Sequence, residues 1–312
     1  MPFFAGSVRP WSDDRTRALL PAPSADSDKR SRGVVALRTG SDAYPGAAVL
    51  GVEGAWRAGS GYVRYVGSRR AADLVLARRP ETVTTEPGSP AVRAEAWVIG
   101  SGTDAATRTE PETAALRALL AGADPVVVDA GALDLLPAAH APVIATPHVG
   151  EFVRLRAALG LSTLAADALQ DPAARANAVH ETAEAFGGAV LLKGATTLIA
   201  DTSGVFAVDT GTPWLATAGT GDVLAGAIGA LVAADRAAGG PTALAEVAAA
   251  AAWLHGLAGR IASGTAAGGL GRPIVALQVA EALPAAIALV RDGDERVRTD
   301  DEHDEETQED RP

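Results

Sequence analysis

The 312-residue chain carries 38 Asp/Glu against 27 Lys/Arg, a net charge of −11, with 48% hydrophobic residues and no Cys. This composition is that of a globular protein with room for a sizeable α/β core, and it excludes disulfides, thiolate metal sites and cysteine nucleophiles. The acidity is local: eleven Asp/Glu and three Arg lie between Asp292 and Pro312, so residues 292–312 read as a solvated, disordered tail without a catalytic role.

Elsewhere no Lys/Arg cluster with interleaved aromatics points to nucleic acid. Met1-Pro-Phe-Phe-Ala-Gly-Ser lacks the basic flank and apolar core of a signal peptide. The Ala-rich stretch from Ala243 to Ala258 is interrupted by Glu246 and His255, so no membrane span is expected. The reading is a cytoplasmic protein with no membrane partner.

Residues 1–30, rich in Pro, Ser, Asp and Arg, read as a flexible leader. From Gly33 onward short apolar runs predict strands at Val34–Leu37, Tyr62–Val66, Trp97–Ile99, Val126–Val128 and Val143–Ala145. Three more follow closely, at Val190–Leu192, Thr197–Ala200 and Val205–Val208, and their short spacing predicts an antiparallel excursion. Helical patterns fall at Gly46–Ala58, Glu112–Ala121, Gly150–Leu159 and Pro172–Phe186, then at 223–234, 244–263 and about 275–291. Alternation of this kind indicates βαβ units and a largely parallel sheet in one domain, 31–291.

In such sheets ligands gather at the carboxyl ends of the strands. Here those ends are Gly100-Ser-Gly102, Asp129, Thr146-Pro-His148, Lys193-Gly194 and the loop Thr210-Gly-Thr-Pro-Trp-Leu-Ala-Thr-Ala-Gly-Thr-Gly-Asp222. Gly219 and Gly221 clear side chains from the approach to a helix N-terminus, where backbone N–H groups and the helix dipole favour an anion. Asp222 is then either the helix N-cap or a base held beside that anion. Lys193, one of two lysines in the chain beside Lys29, is either a strand end at the surface or an ammonium placed for a phosphate.

His148 and Glu151 fit a helix start, with Glu151 in the first turn, or equally a substrate contact and a water-linked Mg²⁺ contact. Asp129 is a catalytic-edge acid or a cap, and His255, set among alanines, reads as a core or helix-contact histidine rather than a ligand. Trp214 is the one Trp inside the glycine-rich loop. Neither a Gly-x-Ser-x-Gly elbow in a strand–helix context nor a Walker loop occurs.

Taken in order, these segments resemble the NAD(P)H-hydrate dehydratases of the ribokinase-like superfamily, over about Gly33 to Arg291. The match runs through Gly40-Ser-Asp-Ala-Tyr-Pro-Gly-Ala47-Ala, Gly54-Ala-Trp-Arg-Ala-Gly-Ser-Gly61, Ile99-Gly-Ser-Gly102 and Asp129-Ala-Gly-Ala-Leu133. It continues with Thr146-Pro-His-Val-Gly-Glu151, Lys193-Gly-Ala-Thr-Thr197 and Ala218-Gly-Thr-Gly-Asp222. Ser101 and Val149 replace prolines of the family pattern, Thr212-Pro-Trp-Leu replaces Asn-Pro-Gly-Met, and Ala218 stands where glycine is frequent.

The resemblance implies a ribokinase-like three-layer α/β/α fold, its mostly parallel central sheet flanked by helices. It also implies repair of hydrated NADH and NADPH. The ring hydroxyl is phosphorylated from an adenine nucleotide, and phosphate is then eliminated. Asp222 would be the base, with the N–H groups of Gly219, Thr220 and Gly221 on the transferring phosphoryl. Ala47, Gly102, His148 and Asp222 would bind the hydrated cofactor. Lys193, Gly194, Ala195, Thr196, Thr197 and Gly221 would bind the nucleotide, and Glu151 would contact Mg²⁺ through water.

Bacterial members use ADP and eukaryotic ones ATP; the Ala- and Arg-rich, Lys-poor composition points to a bacterium, hence ADP. Family members are commonly homotetramers, and many carry an epimerase domain ahead of this one. Thirty residues are too few for a domain, so a dehydratase-only chain is expected. Two rivals remain. A vitamin-precursor kinase of the hydroxymethylpyrimidine or hydroxyethylthiazole type would lack the Thr-Pro-His and Gly40–Ala48 segments. A catalytically silent nucleotide-binding regulator would not need both Asp222 and Lys193.

Overall fold

Apolar runs of three to five residues, bounded by glycine or polar residues, set the sheet. The computed structural model describes residues 7–306 other than 21, 89–91, 163, 165, 166 and 241, with side chains as far as 293. Strand β1 (Arg9–Pro10) and helix α1 (Asp13–Ala18) open the chain, followed by β2 (Val34–Arg38), α2 (Gly46–Arg57) and β3 (Tyr62–Val66). Next come α3 (Arg69–Arg78), β4 (Val83–Thr85), β5 (Ala96–Ile99), α4 (Glu110–Leu120), β6 (Val126–Val128) and β7 (Val143–Ala145). The second half holds α5 (Val149–Ala158), α6 (Pro172–Phe186), β8 (Ala189–Leu192), β9 (Thr197–Asp201) and β10 (Gly204–Val208), then α7 (Thr220–Ala237), α8 (Leu244–Ser263) and α9 (Ala276–Glu306).

The ten strands form one sheet in the order β1-β10-β9-β8-β7-β6-β5-β2-β3-β4. Only β9 runs against its neighbours, pairing Ile199 with Leu191 on one side and with Phe206 on the other. This is the antiparallel excursion that the spacing of the last three apolar runs predicts. Strands β5 to β8 are buried throughout, as expected of parallel strands covered on both faces. Side chains alternate between the layers: Val35 and Leu37 pack toward α2, α7, α8 and α9, while Ala36 packs on the α4 side. Helices α5 and α6 cover β8 to β10 on that second face.

Glycine sets how closely α2 and α7 approach. A methyl at Gly226 would overlap the Gly51 carbonyl, and one at Gly54 would overlap the Val223 carbonyl. The two helices therefore touch backbone to backbone, and their N-termini share one edge of the sheet.

The start of the chain departs from the composition-based reading. Within the stretch expected to be a flexible leader, β1 adds a parallel edge strand on β10, with Arg9 opposite Phe206 and Pro10 opposite Ala207. Trp11 is buried edge-on against Phe206 at 5.0 Å, and the Ser12 hydroxyl caps α1. One buried Trp and a Ser cap followed by two Asp outweigh the polar average around them. At the other end α9 extends from Ala276 to Glu306. Residues 307–312 lie outside the described ones.

Candidate active site

The polar strand ends converge. Asp129, which follows β6, is buried and serves as the hub. Its Oδ1 accepts the Lys193 ammonium at 2.9 Å and the Thr146 hydroxyl at 2.8 Å, and its Oδ2 accepts the Ser101 hydroxyl at 2.9 Å. These four residues come from the ends of β5, β6, β7 and β8, which are consecutive in the sheet. Ala130, directly after Asp129, has a positive φ of 43°. A non-glycine residue held there marks a backbone constrained by its surroundings.

Helix α7 begins beside this hub. Gly219, at φ 90°, is its N-cap and makes no side-chain cap bond. That dihedral suits glycine, and a β-carbon there would also press into Leu50 of α2. Asp222 therefore sits in the first turn of α7 and is not its cap, which removes one of the two readings of this residue. The N–H groups of the first helical turn have no acceptor within the helix. Gly221 lies so close to Lys193 that a β-carbon on it would stand 3.5 Å from Nζ. The Thr220 hydroxyl donates to the Leu215 and Thr217 carbonyls at 3.0 Å each and ties the glycine-rich loop to the helix it precedes.

The electrostatics follow from this crowding. Burial pushes the Asp222 carboxyl up from 3.8 to about 6; the nearby negative charge of Asp129 adds to the rise and Lys193 opposes it. Burial alone would lower the proton affinity of Lys193, but the charges of Asp129, Glu151 and Asp222 and the bond to Asp129 outweigh it and raise it. Buried His255 is held neutral, pushed down to about 4 by burial and by Lys193. Its Nε2 therefore donates to the Thr220 carbonyl at 2.9 Å, bracing the first turn of α7 from α8. The helix-contact reading of His255 describes this geometry.

A cavity of about 460 Å³ opens over α7's N-terminus. Lys193, Gly194, Ala195, Thr197, Thr220, Gly221 and His255 line it, with Thr212, Pro213, Leu215 and Ala216 of the glycine-rich loop. Five of the six residues expected to bind nucleotide are thus together. Thr196 is on the other side of its turn, lining a neighbouring cavity with Arg175. Trp214 does not line the 460 Å³ cavity either; its indole donates to the Leu270 carbonyl at 3.1 Å and packs on Gly271.

The expected substrate residues flank this region. Ala47, in the first turn of α2, touches Gly102, which has φ 67° and no room for a β-carbon beside Ala47. The Gly40 N–H donates to the Ser101 carbonyl at 2.7 Å, so the loops after β2 and β5 are joined. Gly51, one turn on from Ala47, faces the Asp222 backbone.

His148 is the N-cap of α5, its Nδ1 accepting the Gly150 N–H at 3.0 Å, while Glu151 accepts the His148 N–H at 2.9 Å. This reciprocal capping box is the helix-start reading realised in full. More than half of the His148 side chain is exposed, so its outer edge stays open to a ligand. Glu151 lines a separate cavity of about 370 Å³ with Asp104, Asp134 and Arg154. Among the described residues, no group of three or more His, Asp or Glu is arranged to hold a metal ion alone.

A family model for NAD(P)H-hydrate dehydratases matches residues 35–273. The chain belongs to this family. It is 39% identical over 293 residues to the bifunctional NAD(P)H-hydrate repair enzyme of Corynebacterium glutamicum, covering 86% of this chain and 49% of that protein. The chain thus spans about half the length of the first such relatives. It is 35% identical to the ADP-dependent (S)-NAD(P)H-hydrate dehydratase of Bacillus subtilis over 228 residues, 70% of this chain and 79% of that one. The crystal structure of the Bacillus subtilis ADP/ATP-dependent dehydratase, co-crystallised with ATP and Mg²⁺, superposes with a TM-score of 0.77. That alignment, at 30% identity, covers 92% of this chain and all of the other. The ribokinase-like architecture expected of the dehydratase family is therefore the fold of this chain.

Three contributors stand outside the residues expected from the motifs. Asp129 reads from the sequence only as an edge acid or cap, yet it holds Ser101, Thr146 and Lys193 at once. Ser101 supplies a hydroxyl to Asp129 Oδ2 at 2.9 Å. Arg175, on α6, has nothing in its local sequence to set it apart from the other arginines.

Proposed function

We propose that this chain is an ADP-dependent (S)-NAD(P)H-hydrate dehydratase, a nucleotide-dependent hydro-lyase that returns hydrated NADH and NADPH to NADH and NADPH and releases AMP and phosphate. The observation that carries the reading is Asp222. It is a carboxylate in the first turn of α7 that no described group donates a hydrogen bond to, beside a cavity lined by Lys193 and by backbone N–H groups.

Hydroxide is a poor leaving group and phosphate a good one, so the reaction divides in two. Asp222 takes the proton of the ring hydroxyl as that oxygen forms its bond to the terminal phosphorus of ADP. The P–O bond to AMP breaks, and AMP departs with the electron pair. The amides of Gly219, Thr220 and Gly221 at the head of α7 stabilise charge on the transferring group. Lys193 and the Gly194–Thr197 turn hold the nucleotide. Ala47, Gly102 and the open edge of His148 position the dihydropyridine side. In the second step the ring C–O bond breaks, phosphate leaves with the electron pair, the adjacent ring carbon gives up a proton, and the double bond is restored.

Mg²⁺ is bound by few protein groups where phosphates supply the remaining oxygens. Glu151 would reach it through water, and the ion would spread the negative charge of the nucleotide. The same reading makes the protein a cytoplasmic homotetramer.

The test mixes protein, Mg²⁺ and hydrated NADH with ADP or with ATP, follows the return of NADH absorbance, and measures AMP and phosphate. Recovery with ADP supports the proposal. No recovery with either nucleotide overturns it, and recovery with ATP alone overturns its choice of donor.

A further inference from the structure

Behind the Lys193–Thr197 turn, on the side away from the nucleotide cavity, lies the guanidinium of Arg175. It occupies the space that a side chain on residue 194 would need: a β-carbon at Gly194 would overlap Nη2. Nη2 donates to the carbonyls of Lys193 at 3.3 Å and Thr196 at 3.4 Å. Its Nε is buried without a partner. Burial lowers the proton affinity of the group, and no neighbouring carboxylate offsets that effect. Most arginines that reach into this fold pair with an acid, as Arg78 and Arg79 do with Glu53 and Arg156 does with Glu181. Arg175 is instead a half-buried cation with no acid in contact among the described residues, which costs free energy in the absence of an anion.

We propose that Arg175 is a positioning residue for the phosphates of the nucleotide. This rests on reading the 460 Å³ cavity as the nucleotide site. Two consequences of the geometry support it. A peptide unit is planar and trans, so its C=O and N–H point in opposite directions. By drawing the Lys193 carbonyl backward, Arg175 turns the Gly194 N–H forward, toward the cavity that Gly194 lines. The second consequence is charge: the guanidinium stands one turn-thickness behind the anion site and adds to the field of Lys193 without touching the ligand. Gly194 is thus glycine to admit the arginine behind the turn as much as the phosphate in front of it.

The test compares wild type with Arg175→Ala, Arg175→Lys and Arg175→Gln, using calorimetric ADP binding together with steady-state kinetics. Arg175→Ala is expected to weaken ADP binding about tenfold, the scale of one lost charge-assisted contact, with nucleotide KM rising more than kcat falls. Arg175→Lys should recover part of the affinity and flatten its salt dependence less than Arg175→Gln does, because only Lys keeps the charge. If Arg175→Ala remains folded and binds ADP like wild type, the inference is overturned while the nucleotide site stands. If Arg175→Ala does not fold, Arg175→Gln decides, and wild-type affinity in it removes the charge from the argument. Failure of the wild type to bind ADP or ATP at all overturns both readings.

Discussion

Replacing Asp222 by Asn is expected to lower turnover by orders of magnitude and at the same time stabilise the protein, because the carboxylate is held where folding disfavours its charge. The group titrates near 3.8 when unfolded and at about 6 in the folded protein. A raised carboxyl pKa means the folded state binds the proton more tightly. Its favourable contribution is complete below about pH 4 and is lost as pH rises through about pH 6. Above that the ionised group is a net cost. The rise from 3.8 to about 6 corresponds to about 3 kcal/mol, and partial solvent access to the site reduces this to roughly 2 kcal/mol. Asn is close in shape and cannot ionise, so it removes the cost. Urea denaturation of wild type and Asp222→Asn from pH 4 to pH 8 should show curves that coincide at the acid end. They should diverge between pH 4 and 6 and run parallel above, with the variant melting several degrees higher at neutral pH. A variant no more stable than wild type at pH 7, or a difference that does not change with pH, would refute the electrostatic account of the site.

The same perturbed carboxyl sets the pH dependence of catalysis: kcat/KM should fall on the acid side with a midpoint at about pH 6, and Asp222→Asn should lose roughly 10²- to 10⁴-fold in turnover while still binding ADP by calorimetry. Asp129→Asn removes the negative charge that adds to the burial-driven rise of Asp222, so the acid limb of the kcat/KM profile should move to lower pH; an unmoved limb would separate the two carboxylates. The same variant weakens the Lys193 contact and should lower stability by about 1 to 3 kcal/mol in urea, less than for a fully buried pair because Lys193 is partly exposed. Gly226→Ala should destabilise by about 1 to 3 kcal/mol, since its methyl meets the Gly51 carbonyl and forces α2 from α7. Because α2 carries Ala47, the KM for hydrated cofactor in that variant should rise as well.

What the linear sequence discloses depends on how local each signal is. The central strands are legible because parallel strands buried on both faces are short, unbroken apolar runs such as Val126–Val128. Helix α3 is not, since Arg69–Arg78 buries only Ala71 and Val75 while its larger apolar residues Leu74 and Leu76 are exposed. The first thirty residues mislead for the opposite reason: Trp11 and the Ser12 cap are strong signals, diluted by averaging over a polar stretch. At the site, glycines and isolated charges at strand ends mark the right segments, but their mutual contacts depend on strand order. Ser101, Asp129, Thr146 and Lys193 meet because β5, β6, β7 and β8 lie side by side, and no spacing along the chain states that.

Asp222 shows how small the missing step can be. The apolar period places the helix start at Val223, which makes Asp222 its natural cap. The helix in fact begins at Thr220, behind a left-handed Gly219, and those three residues convert a cap into a first-turn carboxylate next to Gly221, which lines the cavity. Gly194 carries the complementary lesson. Its lack of a side chain is legible as room for a phosphate, whereas the Arg175 guanidinium that fills the space behind it comes from a helix residue nineteen positions earlier in the chain. A glycine motif announces that something approaches the backbone closely; only the fold tells from which side.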